Sequence, residues 1–181
     1  MSSRAFVVAL LGAESTGKTT LSGEIAAALC VAGASAVVVP EALREFCVTH
    51  ERTPRRDEQA AIATEQTRRI DAAAAGSAVV IADTTALMTA VYSDFVFGDT
   101  GLYDAAEAEQ RRVDLTLLTA LDLPWLCDGL QRDGAHVQAP VDRLLRASLG
   151  RVGLPFVRIA GTGVARLAAA LAAIRHSRPA A

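Results

Sequence analysis

Near the start of the chain, Gly12-Ala13-Glu14-Ser15-Thr16-Gly17-Lys18-Thr19 sets two glycines, an ammonium and a hydroxyl at fixed spacing. Those residue types answer a phosphate chain. The glycines let successive backbone N–H groups turn toward phosphate oxygens, Lys18 reaches the β and γ phosphates, and the Thr19 hydroxyl is placed to ligate magnesium. The string, continued by Thr20, is a complete P-loop, and Mg2+ with ATP or another nucleoside triphosphate is its expected ligand. Of the 18 Lys+Arg residues, Lys18 is the one lysine, and asparagine is absent. This usage fits a GC-rich coding bias, yet it keeps a compact ammonium where a planar guanidinium would not fit the same cradle.

Two acids further along could complete phosphoryl transfer. Glu41 directly follows an apolar run, where a carboxylate can accept the proton of an incoming hydroxyl or hold a sugar hydroxyl. With an ordinary pKa of about 4.3 it would already be ionised at neutral pH. Asp83 ends another apolar run, the place of an acid that holds magnesium directly or through water. A second role is open to it, because Asp before Thr84-Thr85 is also a good helix N-cap. Arg44, one turn beyond Glu41, is a candidate substrate contact or simply half of a surface ion pair.

The elements that must position these residues alternate regularly. Residues 4–11, 36–39, 78–82, 113–118 and 154–159 are short apolar runs with the character of buried strands. Residues 19–32, 57–75, 84–97, 104–112, 140–152 and 164–176 read as helices. Such alternation predicts an α/β fold of three layers, a five-stranded parallel sheet flanked by helices, with ligands at the carboxyl ends of the strands. That edge carries Gly12 to Thr19, Glu41 and Asp83. The polar, Gly-containing segment 121–139 is a lid candidate. The expected organisation is one domain over 1–176, followed by a loose tail, 177–181.

Composition narrows the partners. A formal net charge of -2 with arginines scattered among acids gives no basic stripe for nucleic acid or an anionic membrane. No apolar stretch approaches a membrane span, and Met1-Ser2-Ser3-Arg4 leads straight into a strand without a signal peptide's apolar region. A soluble, cytoplasmic protein acting on a small molecule is the expectation, with its oligomeric state open. Three cysteines, Cys30, Cys47 and Cys127, fit reduced thiols, two of them in the core. Guanine readout of the Asn-Lys-x-Asp type is excluded without asparagine, and Leu21-Ser22-Gly23-Glu24 mimics a transporter ATPase signature but lies inside the first helix.

Four ordered pieces resemble the ribosylnicotinamide kinase domain of the bacterial NadR type, a P-loop small-molecule kinase family with an AAA-like fold. They are the P-loop with a glutamate inside it (Gly12 to Thr20), Glu41-Ala42-Leu43-Arg44-Glu45-Phe46, Ala82-Asp83-Thr84, and Trp125-Leu126-Cys127-Asp128-Gly129-Leu130. The resemblance implies transfer of the γ phosphate of ATP to the 5'-hydroxyl of a nucleoside such as nicotinamide riboside, a step of NAD salvage. It places Glu41, Arg44, Asp83, Thr84, Trp125 and Asp128 at the acceptor, Trp125 offering a stacking face to a cationic pyridinium. A buried core position is the other reading of Trp125. Where the family often has arginine after Asp-Gly-Leu, this chain has Gln131 and then Arg132. Arg132 is the lid's catalytic candidate, with Arg143 and Arg146 in reserve. The resemblance does not extend to the adenylyltransferase and DNA-binding parts of full-length members, so no regulatory role is carried over. A kinase for another nucleoside or cofactor precursor, and a nucleotide-dependent switch, are the competing readings.

Overall fold

The computed structural model describes residues 4–125 and 134–178. Five strands, β1 (Phe6–Leu11), β2 (Ala36–Val39), β3 (Val79–Asp83), β4 (Leu115–Thr119) and β5 (Val157–Ile159), form one parallel sheet in the order β2-β3-β1-β4-β5. The helices are α1 (Lys18–Val31), α2 (Ala42–His50), α3 (Gln59–Gly76), α4 (Ala86–Phe97), α5 (Tyr103–Gln110), α6 (Gln138–Arg151) and α7 (Gly163–Ser177).

Both faces of the sheet are covered, as a parallel sheet requires. Alternation along β1 assigns its side chains to the two layers. Val8 and Leu10 join Leu21 and Ile25 of α1 and Ile174 of α7, whereas Ala9 and Leu11 pack with Leu87 and Val91 of α4 and Leu145 of α6. The central position of β1, between β3 and β4, puts the residues after it at the point where strand order reverses.

Several boundaries differ from the sequence reading, each for a local reason. α2 was not foreseen, although Ala42, Leu43, Phe46 and Cys47 recur at helical spacing and face the interior. β5 begins three residues later than expected, beyond Pro155, which has no N–H for the ladder. α4 starts at Ala86 because Thr85 is its cap, its hydroxyl accepting the Leu87 N–H at 3.3 Å. Asp83 therefore remains the last residue of β3, and the capping role foreseen for it falls to Thr85. The lid candidate 121–139 overlaps residues outside those described, and its end is helical, with a 3-10 turn at Ala135–Val137 leading into α6. Cys30, expected in the core, is exposed near the end of α1, while Cys47 is buried.

Candidate active site

The loop between β1 and α1 takes a conformation that only some residues accept. Gly12 has φ 149°, Gly17 φ 74° and Ser15 φ 53°, so the backbone turns back on itself before entering α1. At Gly12 there is also no room for a side chain. A Cβ there would lie 2.0 Å from Thr119 Oγ1, whose hydroxyl donates to Thr16 Oγ1 at 2.7 Å and to Leu11 O at 3.2 Å. The loop is thus seated on the end of β4.

Lys18 is buried and donates from Nζ to Ala13 O across the loop at 2.8 Å. Thr19 donates from Oγ1 to Asp83 Oδ2 at 2.6 Å. The pairing of Leu10 with Asp83 in the sheet, extended by Thr84 N–H to Leu10 O at 3.0 Å, sets this contact. Asp83 is 2% exposed, and its Oδ1 is buried without a hydrogen bond among the described residues. A hydroxyl and a carboxylate side by side, with one buried carboxylate oxygen still to be satisfied, are a donor set that fits Mg2+. Thr20 is exposed beside them.

Glu41 ends the connection from β2 into α2 and is buried. Burial pushes its carboxyl above the usual range. Lys18 opposes this, Asp83 reinforces it, and Arg44 opposes it again. The ordinary pKa expected from sequence is therefore corrected upward. Arg44, half-buried, places Nε 3.6 Å from Glu41 Oε2.

A cavity of about 160 Å³ opens directly beside these groups. It is bounded by Glu14, Lys18, Glu41, Arg44 and Thr53, and Leu43, Pro54, Tyr92, Val96 and Phe97 supply apolar walls. Gln59 also lines it. Among the residues expected from sequence, Glu14, Lys18, Glu41 and Arg44 meet in this cavity, and Asp83 and Thr19 meet behind Lys18. Trp125 lies after β4, partly buried, with Nε1 lacking a hydrogen bond among the described residues, and it is not among the cavity's walls. Asp128 and Arg132 lie outside the described residues. Arg143 is exposed, and Arg146 pairs with Asp142 at 2.9 Å.

Supporting residues were missed by sequence reasoning. Gln66 of α3, 2% exposed, accepts the Ala42 N–H on Oε1 at 2.7 Å and donates from Nε2 to Thr84 O at 3.3 Å. One amide thus ties the turn after Glu41 to the turn after Asp83. Thr84 has φ 73°, a strained conformation for a β-branched residue. Arg166 of α7, 4% exposed, donates to Thr16 O at 2.7 Å, to Gly161 O at 2.8 Å and to Asp122 Oδ1 at 3.1 Å. Gln138 donates to Glu14 O at 2.7 Å. A glutamine or arginine in a helix carries no sequence sign of burial, so none of these three could have been singled out.

A family model described as AAA domain matches residues 7–166. Two crystal structures of NadR protein are similar in fold: one in complex with NR, at TM-score 0.78 and 22% identity, and one in complex with NAD and AMP-PNP, at TM-score 0.76 and 21% identity. Each similarity covers 96% of this chain but only 50% and 49% of those chains, so the chain spans about half their length. At such identity the likeness is one of fold, the three-layer α/β fold of P-loop NTPases. No curated protein matches, and no helix among the described residues is long and apolar enough to cross a membrane. With its P-loop in place and nearly its whole length matched, the chain belongs to the AAA domain family.

Proposed function

We propose that this protein is a small-molecule kinase that transfers the γ phosphate of ATP to a hydroxyl of a nucleoside, nicotinamide riboside being the leading candidate, which would place it in NAD salvage. The observation that carries this reading is the cavity that meets the P-loop at Glu14 and Lys18 and has Glu41 in its wall. A nucleotide switch has no need of a second, ligand-sized space beside its phosphate site; a phosphotransferase has. The NadR structures, one holding NR and another AMP-PNP, support the same pair of ligands.

The residues divide the work as follows. Backbone N–H groups of Gly12 to Thr19 and the Lys18 ammonium bind the triphosphate and stabilise charge on the transferring group. Thr19 and Asp83 would hold Mg2+, which neutralises phosphate charge when bound. Glu41 takes the proton of the acceptor hydroxyl as its oxygen bonds to phosphorus and ADP departs with the electrons of the breaking P–O bond. A carboxylate whose pKa is raised by burial is a better base than an ordinary one, since its affinity for the proton lies nearer to the working pH. Arg44 holds Glu41 in place; Trp125 and Asp128 at the acceptor and Arg132 at the phosphates are roles that the family resemblance alone assigns.

Incubation with Mg-ATP and nicotinamide riboside, read by chromatography, is expected to give the mononucleotide and ADP in equal amounts. ADP and free phosphate without phosphorylated product, across a panel of nucleosides and cofactor precursors, would overturn the reading in favour of a switch.

A further inference from the structure

One polar group in the cavity has no part in the phosphoryl chemistry. Gln59, the first residue of α3, lines the cavity and is 4% exposed, and its Oε1 is buried without a hydrogen bond among the described residues. A carbonyl oxygen in that state has lost water and gained no donor, which folded proteins rarely leave uncompensated. In a ligand cavity, such an atom is one the ligand is shaped to satisfy.

Its position says which part of the ligand it meets. Gln66, seven residues further along α3, touches Thr84 beside Asp83 and so marks the level of the catalytic edge. Seven residues of helix are roughly 10 Å. Val96, another wall of the cavity, is ten residues from Ala86 at the start of α4, roughly 15 Å of helix. Gln59 therefore stands with the apolar walls Tyr92, Val96 and Phe97, away from the phosphates and next to where the base of a nucleoside would rest once its hydroxyl reaches Glu41.

We propose that Gln59 selects the acceptor by taking a hydrogen bond on Oε1 from an N–H of its base, so that the substrate class is a nucleoside whose base presents an amide or amino N–H. The inference rests on the cavity being the acceptor site. Glu14, Lys18, Glu41 and Arg44 belong to the phosphate and base chemistry, Leu43, Pro54, Val96 and Phe97 have no side-chain acceptor, and Thr53 and Tyr92 bring only hydroxyls.

Nicotinamide riboside and 3-acetylpyridine riboside differ by a methyl in place of the amide NH2 and so isolate that bond. With Mg-ATP, the wild-type protein is expected to favour the carboxamide by about tenfold or more in kcat/KM, through the acceptor KM. Gln59→Met, close in volume but without the oxygen, should bring the two within about threefold while leaving the KM for ATP unchanged. Gln59→Glu keeps an oxygen acceptor and should retain the preference. Equal selectivity in wild type and Gln59→Met, or no preference in wild type, overturns the inference while leaving phosphotransfer intact. If neither riboside is turned over, it is the kinase reading that fails, and calorimetric titration of both ribosides decides Gln59 separately. Tighter binding of the carboxamide that is lost in Gln59→Met supports its role; the absence of such a difference overturns it.

Discussion

At the scale of single residues, Glu41 shows how a catalytic requirement opposes stability. In an unfolded chain its carboxyl ionises at about the ordinary value of 4.3, whereas in the fold burial holds the proton to higher pH. Between those two values the folded state binds more protons than the unfolded one, so stability falls as pH rises through that window and the loss is complete above the folded pKa. Gln at this position has no charge to bury. The Glu41→Gln protein without nucleotide should have a higher urea midpoint than wild type at pH 7.5, and the gap should close toward pH 4. Activity should move the other way. Loss of a general base lowers kcat by about 10²–10⁴-fold with the KM for ATP little changed. The rise of wild-type kcat/KM with pH through the raised Glu41 pKa should be absent from the variant. A variant with near-normal turnover would remove Glu41 from the base role.

At the scale of elements, the two catalytic turns are held by a helix that contributes nothing to the chemistry. Gln66→Leu would leave the buried Ala42 N–H and Thr84 carbonyl without partners, each costing about 1–3 kcal/mol. It would also free Thr84 from the contact that helps to hold its positive φ. Urea unfolding should show a loss of about 2–4 kcal/mol, and kcat should drop because Glu41 and Asp83 lose their fixed spacing. An unchanged kcat in Gln66→Leu would mean that the turns hold their spacing without the tie. The strands and the P-loop were legible in the sequence because both are written locally, as continuous apolar runs and a fixed string. Glu41 and Asp83 were legible because each stands directly after such a run. Gln59, Gln66 and the apolar walls on α4 were not, because their roles arise only when α3 is laid against α4, and a glutamine among alanines reads like any exposed helical residue. The short β5 marks the same limit, since Leu154 and Phe156 are apolar enough for a strand but Pro155 removes them from the ladder.

At the scale of the whole molecule, the phosphate loop is local in sequence but not in support. Three side chains hold it, Thr119 of β4 through the Thr16 hydroxyl, Gln138 of α6 through Glu14 O and Arg166 of α7 through Thr16 O, and the last crosses 150 positions of the chain. A loop with positive φ at Gly12, Ser15 and Gly17 has few local reasons to keep its shape, so its readiness for phosphate depends on the C-terminal third of the protein being folded beneath it. Arg166 carries most of this dependence. Its guanidinium joins Thr16 O in the loop, Gly161 O before α7 and Asp122 after β4. Arg166→Met would keep the buried stem and remove all three bonds. One buried carbonyl, that of Thr16, loses its donor, while the exposed Gly161 carbonyl and Asp122, with a third of its side chain exposed, are recovered by water. A loss of about 1–3 kcal/mol is expected on urea unfolding. Because the loop is then free to sample shapes that do not fit a triphosphate, the KM for ATP should rise several-fold, whereas kcat at saturating ATP should fall less, since bound phosphates restore the loop. Arg166→Lys, with the charge but not the fork, should lie between the two. An unchanged KM for ATP beside the full loss of stability would assign Arg166 to the fold alone and leave the loop organised by Thr119 and Gln138.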